Sequence, residues 1–205
     1  MATIATEMGL SNGVDHEIYR ITIDRYQRMV KARVFTEDDP VFLWRGRLVE
    51  KMTKGREHSE AVTKLYRKLI GLVPEEWYVE QEQPMEIPDD GVSEPDLSVI
   101  RGSVDDYPDR APTSRDVALV VKVANSSLSA DSGTVLETYA SEAIPVYWIF
   151  NVPGRWVEVH TRPSGPAVFP TYGDGERRIY RLDDEVPVVL DGCEIGRLNV
   201  QEVFP

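Results

Sequence analysis

The residues in this chain with the means to do chemistry are two acidic stretches, a cluster before a helix, and a lysine in an apolar run. Glu94-Pro95-Asp96 opens the segment SEPDLSVIRG, and Lys122 lies inside DVALVVKVANSS. Glu80 and Glu82 alternate on WYVEQEQ, and KGREHSE supplies Lys54, Arg56, His58 and Glu60. Metal-assisted hydrolysis of a phosphodiester asks for carboxylates on neighbouring strands to hold Mg²⁺, with a lysine near the attacking water. An Asp on one strand and Glu-x-Lys on the next meets that need. Asp96 suits the first position. At the second stand Lys122 and, two residues on, Ala124.

Each of these residues also has a plainer reading. Asp96 can be a strand-entry aspartate after Pro95, and Lys122 can extend its stem along apolar surface and reach solvent. His58 can cap or pack at a helix start. Lys54 and Arg56 can bind phosphate or simply belong to a solvated loop. Which reading holds depends on the elements that carry the residues.

Hydrophobic spacing gives those elements. Thr22 can cap a helix in ITIDRYQRMVKARVF, with Ile23, Tyr26, Met29, Val30 and Val34 on one face and the acidic turn Glu37-Asp38-Asp39-Pro40 as its stop. VFLWRGRLVEKM reads as a hairpin bending at Arg45-Gly46. A second helix is expected from about Glu57 to Leu72, with Val62, Leu65, Tyr66, Leu69 and Ile70 as its apolar stripe and Pro74 at its end. WYVEQEQPMEI reads as one half-buried strand, Asp89-Asp90-Gly91 as a turn, and SEPDLSVIRG as the next strand. DVALVVKVANSS is apolar on both faces, with Val117, Leu119, Val121 and Val123 on one and Ala118, Val120, Lys122 and Ala124 on the other. That pattern belongs to a central strand covered on both sides. SADSGTVLETYASEA follows as a third helix with Asp131 as N-cap, then a hairpin VYWIFNV/RWVEVHT and short strands IYRL, VPVVL and EIGRL. The organisation is an N-terminal arm over residues 1–21 and one α/β domain over residues 22–205.

The bulk numbers narrow the function classes. A formal charge of −12, from 23 Lys and Arg against 35 Asp and Glu, weighs against constitutive tight nucleic-acid binding, since phosphate neutralisation needs clustered cations. A local basic patch can still coexist with an acidic whole. The lone cysteine, Cys193, rules out an internal disulfide and a Cys-based zinc cluster. No run approaches the roughly 18 apolar residues of a membrane helix. The start of the chain lacks the order of a secretory signal, so the cytoplasm is the expected compartment.

From about Thr22 onward the chain resembles a large bacterial family of restriction-endonuclease type, within the PD-(D/E)XK nuclease superfamily. The stretches that carry the resemblance come in order: RYQRMVKA, LVEKMTKGREHS, WYVEQEQPMEIP, EPDLSVIRGS, ALVVKVANSSL, SADSG, YASEAIPVYWIFNV and VPVVLDGCEIGRL. The resemblance implies a restriction-endonuclease-like α/β (α+β) fold, a twisted mixed sheet flanked by helices. It further implies Mg²⁺-dependent DNA cleavage as the ancestral activity and, often, a homodimer.

The departures from the family pattern carry the functional expectation. Lys122 stands where the family's strand has glutamate, Asn125 where its loop commonly has aspartate, and Val135 where its following helix commonly has lysine; Arg47 replaces a glutamate in the hairpin. Glutamate to lysine is a swing of two charges beside Asp96. Two unit charges about 4 Å apart at an effective dielectric of about 20 interact by roughly 4 kcal/mol. An ammonium there pairs with Asp96, takes over the electrostatic role of a cation and repels Mg²⁺. The expectation is a nuclease-fold protein impaired in catalysis, with Asp96 and Lys122 as the catalytic-site residues. Two alternatives stay open. One is an active, rearranged site in which Lys122 orients water while Asp96, completed by Glu94, Glu82 or a helix residue such as Glu60, holds the metal. The other is a non-catalytic dimeric interaction module. Lys54, Arg56, His58, Glu60, Glu94, Asn125 and Asp131 are the further candidates for phosphate contact or for lining the site.

Overall fold

In the computed structural model, the described residues are 18–36, 38–51, 53–88, 91–173 and 177–205. Residues 1–17 of the arm, Glu37 of the acidic turn and the Asp89-Asp90 turn lie outside them.

The architecture is built on one strand. β7 (Val117–Ala124) is the β-branched run VALVVKVA, in which every residue but Lys122 is buried. Strands of this composition fit a pleated surface covered on both sides. β7 sits inside a six-stranded sheet of order β10-β9-β8-β7-β6-β3, with β3 Trp77–Gln81, β6 Leu97–Arg101, β8 Val146–Asn151, β9 Trp156–Thr161 and β10 Arg178–Arg181. Its pairing with β6 is antiparallel and with β8 parallel, so the sheet is mixed as the resemblance implied. The parallel pair needs a crossover, and residues 125–145 supply it. α2 (Arg56–Ile70) and the C-terminal hairpin of β11 (Glu185–Leu190) and β12 (Cys193–Asn199) cover one face through Leu65, Leu69, Val188 and Leu198. Tyr139, Ala140, Ile144 and Tyr172 cover the other. Trp148 and Tyr147 of β8 are fully buried on opposite sides, as core residues.

A second, four-stranded sheet of order β2-β1-β5-β4 stands beside the first, with β1 Val41–Trp44, β2 Arg47–Glu50, β4 Met85–Ile87 and β5 Gly91–Ser93. The β1–β2 hairpin turns at Arg45-Gly46, both at positive φ (47° and 73°), the conformation of a tight two-residue hairpin. Gly91, at φ 123°, lies opposite Trp44; a Cβ there would sit 2.6 Å from the Leu43 carbonyl oxygen, so only glycine allows β1 and β5 to meet.

The structure corrects several expectations. WYVEQEQPMEI is two strands in two sheets: Glu82 turns left-handed (φ 53°), and Pro84 has no N–H to continue a ladder. α1 (Ile23–Lys31) starts at the Thr22 cap but ends well before the acidic turn, because Arg33 at φ 53° breaks it. Its apolar face buries no residue fully. Ile70, expected in the α2 stripe, is 49% exposed because the helix ends there at Gly71. Val117 and Ala118 exchange sides relative to strict alternation, where the β6–β7 register slips at Val99/Ile100. The third helix is broken into α3 (Leu128–Ala130), a wide π-type turn over Asp131–Val135 and α4 (Leu136–Ser141), since Gly133 leaves helical geometry (φ −115°, ψ −107°). Asp131 is therefore no N-cap; it is a buried side chain within the crossover.

Core burial separates Leu65 from Ile70 by experiment. Leu65→Ala should cost about 2–5 kcal/mol of unfolding free energy, as complete burial leaves a cavity behind. Ile70→Ala should cost less than about 1 kcal/mol. Urea unfolding of the two variants against the parent chain measures the difference.

Candidate active site

Asp96 organises the site, and its position follows from the sheet. Its N–H bonds the Val121 carbonyl (3.0 Å), its carbonyl accepts from Glu82 N–H (3.1 Å), and the side chain is wholly buried. Pro95 precedes it, so the chain enters β6 extended and delivers the carboxylate to the end of the sheet. There Asp96 Oδ2 accepts the Val123 N–H at 2.7 Å, replacing a ladder partner. The neighbouring strand presents Lys122, whose Nζ lies 3.4 Å from Asp96 Oδ2 and donates to the Glu94 carbonyl at 3.0 Å.

The other carboxylate oxygen faces a different set of groups. Lys54, in the loop leading to α2, places Nζ 3.3 Å from Asp96 Oδ1 and 2.8 Å from Glu82 Oε1. His58, one turn into α2, directs Nε2 to within 3.2 Å of Asp96 Oδ1 and 3.9 Å of Glu82 Oε1. Its Nδ1 is 2.9 Å from the Val123 carbonyl oxygen. A carbonyl only accepts, so Nδ1 carries the proton and donates. Lys51 closes the mouth by pairing with Glu94.

Electrostatics explain how so deep a carboxylate stays ionised. Burial raises the Asp96 pKa, but the Lys122 ammonium, His58 and the Val123 N–H together outweigh it, and the carboxyl is held well below its ordinary range. Asp131 shows the opposite balance. Burial raises its pKa despite Lys122 nearby and despite the hydroxyl of Ser127, which donates to Asp131 Oδ2 at 2.6 Å.

These groups line a cleft of about 590 Å³ whose other walls are Phe42, Trp44, Val49, Asn125, Val135 and Tyr139. Of the residues singled out from sequence, Lys54, His58, Glu94, Asp96, Lys122, Asn125 and Asp131 meet there, and Glu82 joins them through Lys54 and His58. Glu82 reaches Asp96 from the kink after β3, not by alternation along a continuous strand. Lys54, read as a phosphate ligand or loop charge, is bound to carboxylates. Two candidates fall outside. Glu60 pairs with Lys64 one turn along α2 (3.0 Å), and the exposed Arg56 heads the helix; neither forms the cleft wall. Sequence reasoning missed Phe42, Trp44 and Tyr139 as walls. The aromatic pair in VFLW was a visible signal, but the meeting of the hairpin with Lys122 and Val123 of β7 around one cleft was not.

The residues do not fit an Mg²⁺ centre of the usual kind. Mg²⁺ requires an octahedron of oxygens, commonly with one or two carboxylates among them. Here Asp96 Oδ2 already holds a backbone N–H and an ammonium, and the position for a second carboxylate is that ammonium.

A mixed sheet with a buried aspartate at the end of one central strand, a charged residue beside it on the next and a helical crossover behind defines a nuclease fold of restriction-endonuclease type. The chain belongs to the Uma2 family, described as "Putative restriction endonuclease", whose model matches residues 23–187. Among solved structures it is similar to the crystal structure of a "putative nuclease belonging to DUF820" from Anabaena variabilis. The two share 15% sequence identity and a TM-score of 0.66, over 90% of this chain and 97% of that one, a likeness of fold. No curated protein matches the chain.

Replacing Lys122 tests the balance around Asp96. Lys122→Met should cost about 1–3 kcal/mol near neutral pH, since it removes one of several partners from a buried charge. A carboxyl with a depressed folded pKa contributes stability above its unfolded value, near 3.8, and loses it as pH falls through the folded value. The gap between Lys122→Met and the parent should therefore narrow steadily below about pH 4. Denaturant unfolding at a series of pH values reads it.

Proposed function

We propose that this protein is a DNA-binding member of its nuclease family in which the phosphodiester-cleaving centre has been replaced by a fixed internal ion-pair network. The observation that carries the reading is the Lys122 ammonium, 3.4 Å from Asp96 Oδ2 and tied to the Glu94 carbonyl. A lysine held at both ends of this contact repels a divalent ion at the place where the resemblance expects a glutamate to attract one. Val135, an apolar wall of the same cleft, stands where that resemblance expects the lysine that would act on water.

The cleft is lined by both signs of charge, and cationic side chains stand along the segments beside it. Arg25, Arg28 and Lys31 lie on α1, Arg45 and Arg47 on the hairpin, and Lys51 at the mouth, within a chain of net charge −12. Arg28, Arg45 and Lys51 pair with Asp24, Glu137 and Glu94, so phosphate-backbone contact here exchanges internal ion pairs for phosphate and stays weak overall. Val30 of α1, Val34 after it and Leu48 of the β1–β2 hairpin are exposed apolar side chains, which supports a homodimer formed through these segments. Among the described residues no helix is long and apolar enough to cross a membrane.

A nicking assay on supercoiled plasmid tests the central claim. The chain as it stands should leave the plasmid intact with Mg²⁺ or Mn²⁺. Lys122→Glu combined with Val135→Lys should nick it, with EDTA abolishing the activity. Metal-dependent cleavage by the unaltered chain overturns the proposal in favour of a rearranged active site. Filter binding of duplex DNA should show affinity that falls steeply as salt rises. Sedimentation over a concentration series should show a dimer that Val30→Glu with Leu48→Glu dissociates.

A further inference from the structure

The two sides of the Asp96 carboxylate differ in a way that the ion-pair network leaves unresolved. Oδ2 is fully served by Val123 N–H and Lys122. Oδ1 and His58 Nε2 face each other at 3.2 Å, both buried, and neither has a hydrogen-bond partner among the described residues. The tautomer makes this costly. With the Nδ1 proton given to the Val123 carbonyl, Nε2 of a neutral imidazole presents a lone pair, and it points at another lone pair. Two buried acceptors at that separation call for a cation between them.

From this geometry we infer a site for a nitrogen-accepting divalent ion of the zinc class, with His58 Nε2, Asp96 Oδ1 and Glu82 Oε1 as ligands. The three atoms lie within 4.8 Å of one another. Tetrahedral ligation with bonds of about 2.0–2.1 Å sets neighbouring ligand atoms roughly 3.3 Å apart. The His–Asp and His–Glu separations of 3.2 and 3.9 Å bracket that figure. The Nδ1–H donated to a backbone carbonyl is the orienting contact that metal-bound imidazoles ordinarily make. Mg²⁺ is excluded from this triangle by its preference for oxygen, whereas Zn²⁺ and Co²⁺ accept imidazole readily.

Lys54 shows where the ion goes. Its ammonium touches two of the three ligand atoms, so it occupies the cation position when no metal is bound. The two lysines differ in how firmly they are held. Lys122 is one-fifth exposed and anchored to the Glu94 carbonyl, while Lys54 is more than one-third exposed, at the cleft mouth on a flexible stem. Metal and Lys54 thus compete for one place, while Lys122 keeps the far side of Asp96 neutralised. The inference goes beyond the proposed function and does not depend on whether DNA is bound or cut.

The test uses the full chain, stripped with chelator and then dialysed, without DNA. Calorimetric titration with Zn²⁺ should show one equivalent bound with micromolar or tighter affinity, undiminished by millimolar Mg²⁺. Co²⁺ should give visible absorption bands of a four- or five-coordinate ion. Lys54→Met should bind at least tenfold more tightly, because the competing ammonium is gone. His58→Gln and Glu82→Gln, checked for folding by circular dichroism, should each weaken binding tenfold or more. Lack of Zn²⁺ binding by both the parent chain and Lys54→Met overturns the inference and leaves a proton on His58 as the cation. Binding that folded His58→Gln retains at full strength also overturns it, since the ion then sits elsewhere.

Discussion

A carboxylate with no exposure to water must be compensated where it lies, and the arrangement of this protein's cleft follows from that constraint. Asp96 is placed by backbone pairing to β7 before any side chain is considered, so the negative charge at the end of the sheet is fixed by the fold. Removing an ion from water costs several kcal/mol even after the surroundings relax. Lys122 on the next strand, His58 on α2 and Lys54 in the loop before it are brought in from three segments of the chain to meet that cost. The buried network holds strand, helix and loop to one another as much as it defines a site.

Lys122, at the position where the resemblance expects a carboxylate, sets the charge balance on one side of Asp96. A metal-dependent hydrolytic centre gathers negative charge and leaves its neutralisation to the metal. Here the protein supplies the neutralising charge itself on one side of Asp96. On the other side the His58 imidazole and the Asp96 carboxylate face each other at 3.2 Å, with the Lys54 ammonium against the same carboxylate oxygen. The two sides are independent because the two oxygens of Asp96 point to different elements: Oδ2 to β7, Oδ1 to α2 and the kink at Glu82.

The kink has a consequence for the electrostatics. Glu82 at positive φ turns its side chain back toward Asp96, and Pro84 then carries the chain to the smaller sheet. Had WYVEQEQPMEI continued as one strand, no break would turn the chain back toward Asp96 at that point. A break in local regularity therefore supplies a third ligand atom. The break in the crossover does similar work, since the wide turn that begins at Asp131 carries its buried carboxyl into the cleft lining, where it feels the Lys122 charge.

Much of the architecture was legible in the residues. The two-sided apolar run of β7, the Arg45-Gly46 hairpin, the Thr22 cap and the α2 stripe each reflect local periodicity or turn chemistry, which depends on neighbours in sequence. Lys122 was visible for the same reason, as one charge in a run that otherwise wants burial. Ordered resemblance then made its position meaningful. What periodicity could not decide was anything set by contacts distant along the chain: the split of one apparent strand between two sheets, the exposure of Ile70 and the burial of Asp131. The partner of Lys54 was equally out of reach, since Glu82 and Asp96 come to it only when α2 packs on the sheet. Sequence by itself determined that a cation stands where a carboxylate was expected. Tertiary structure decided which oxygen that cation serves, because only packing gives the two sides of one buried carboxylate different neighbours.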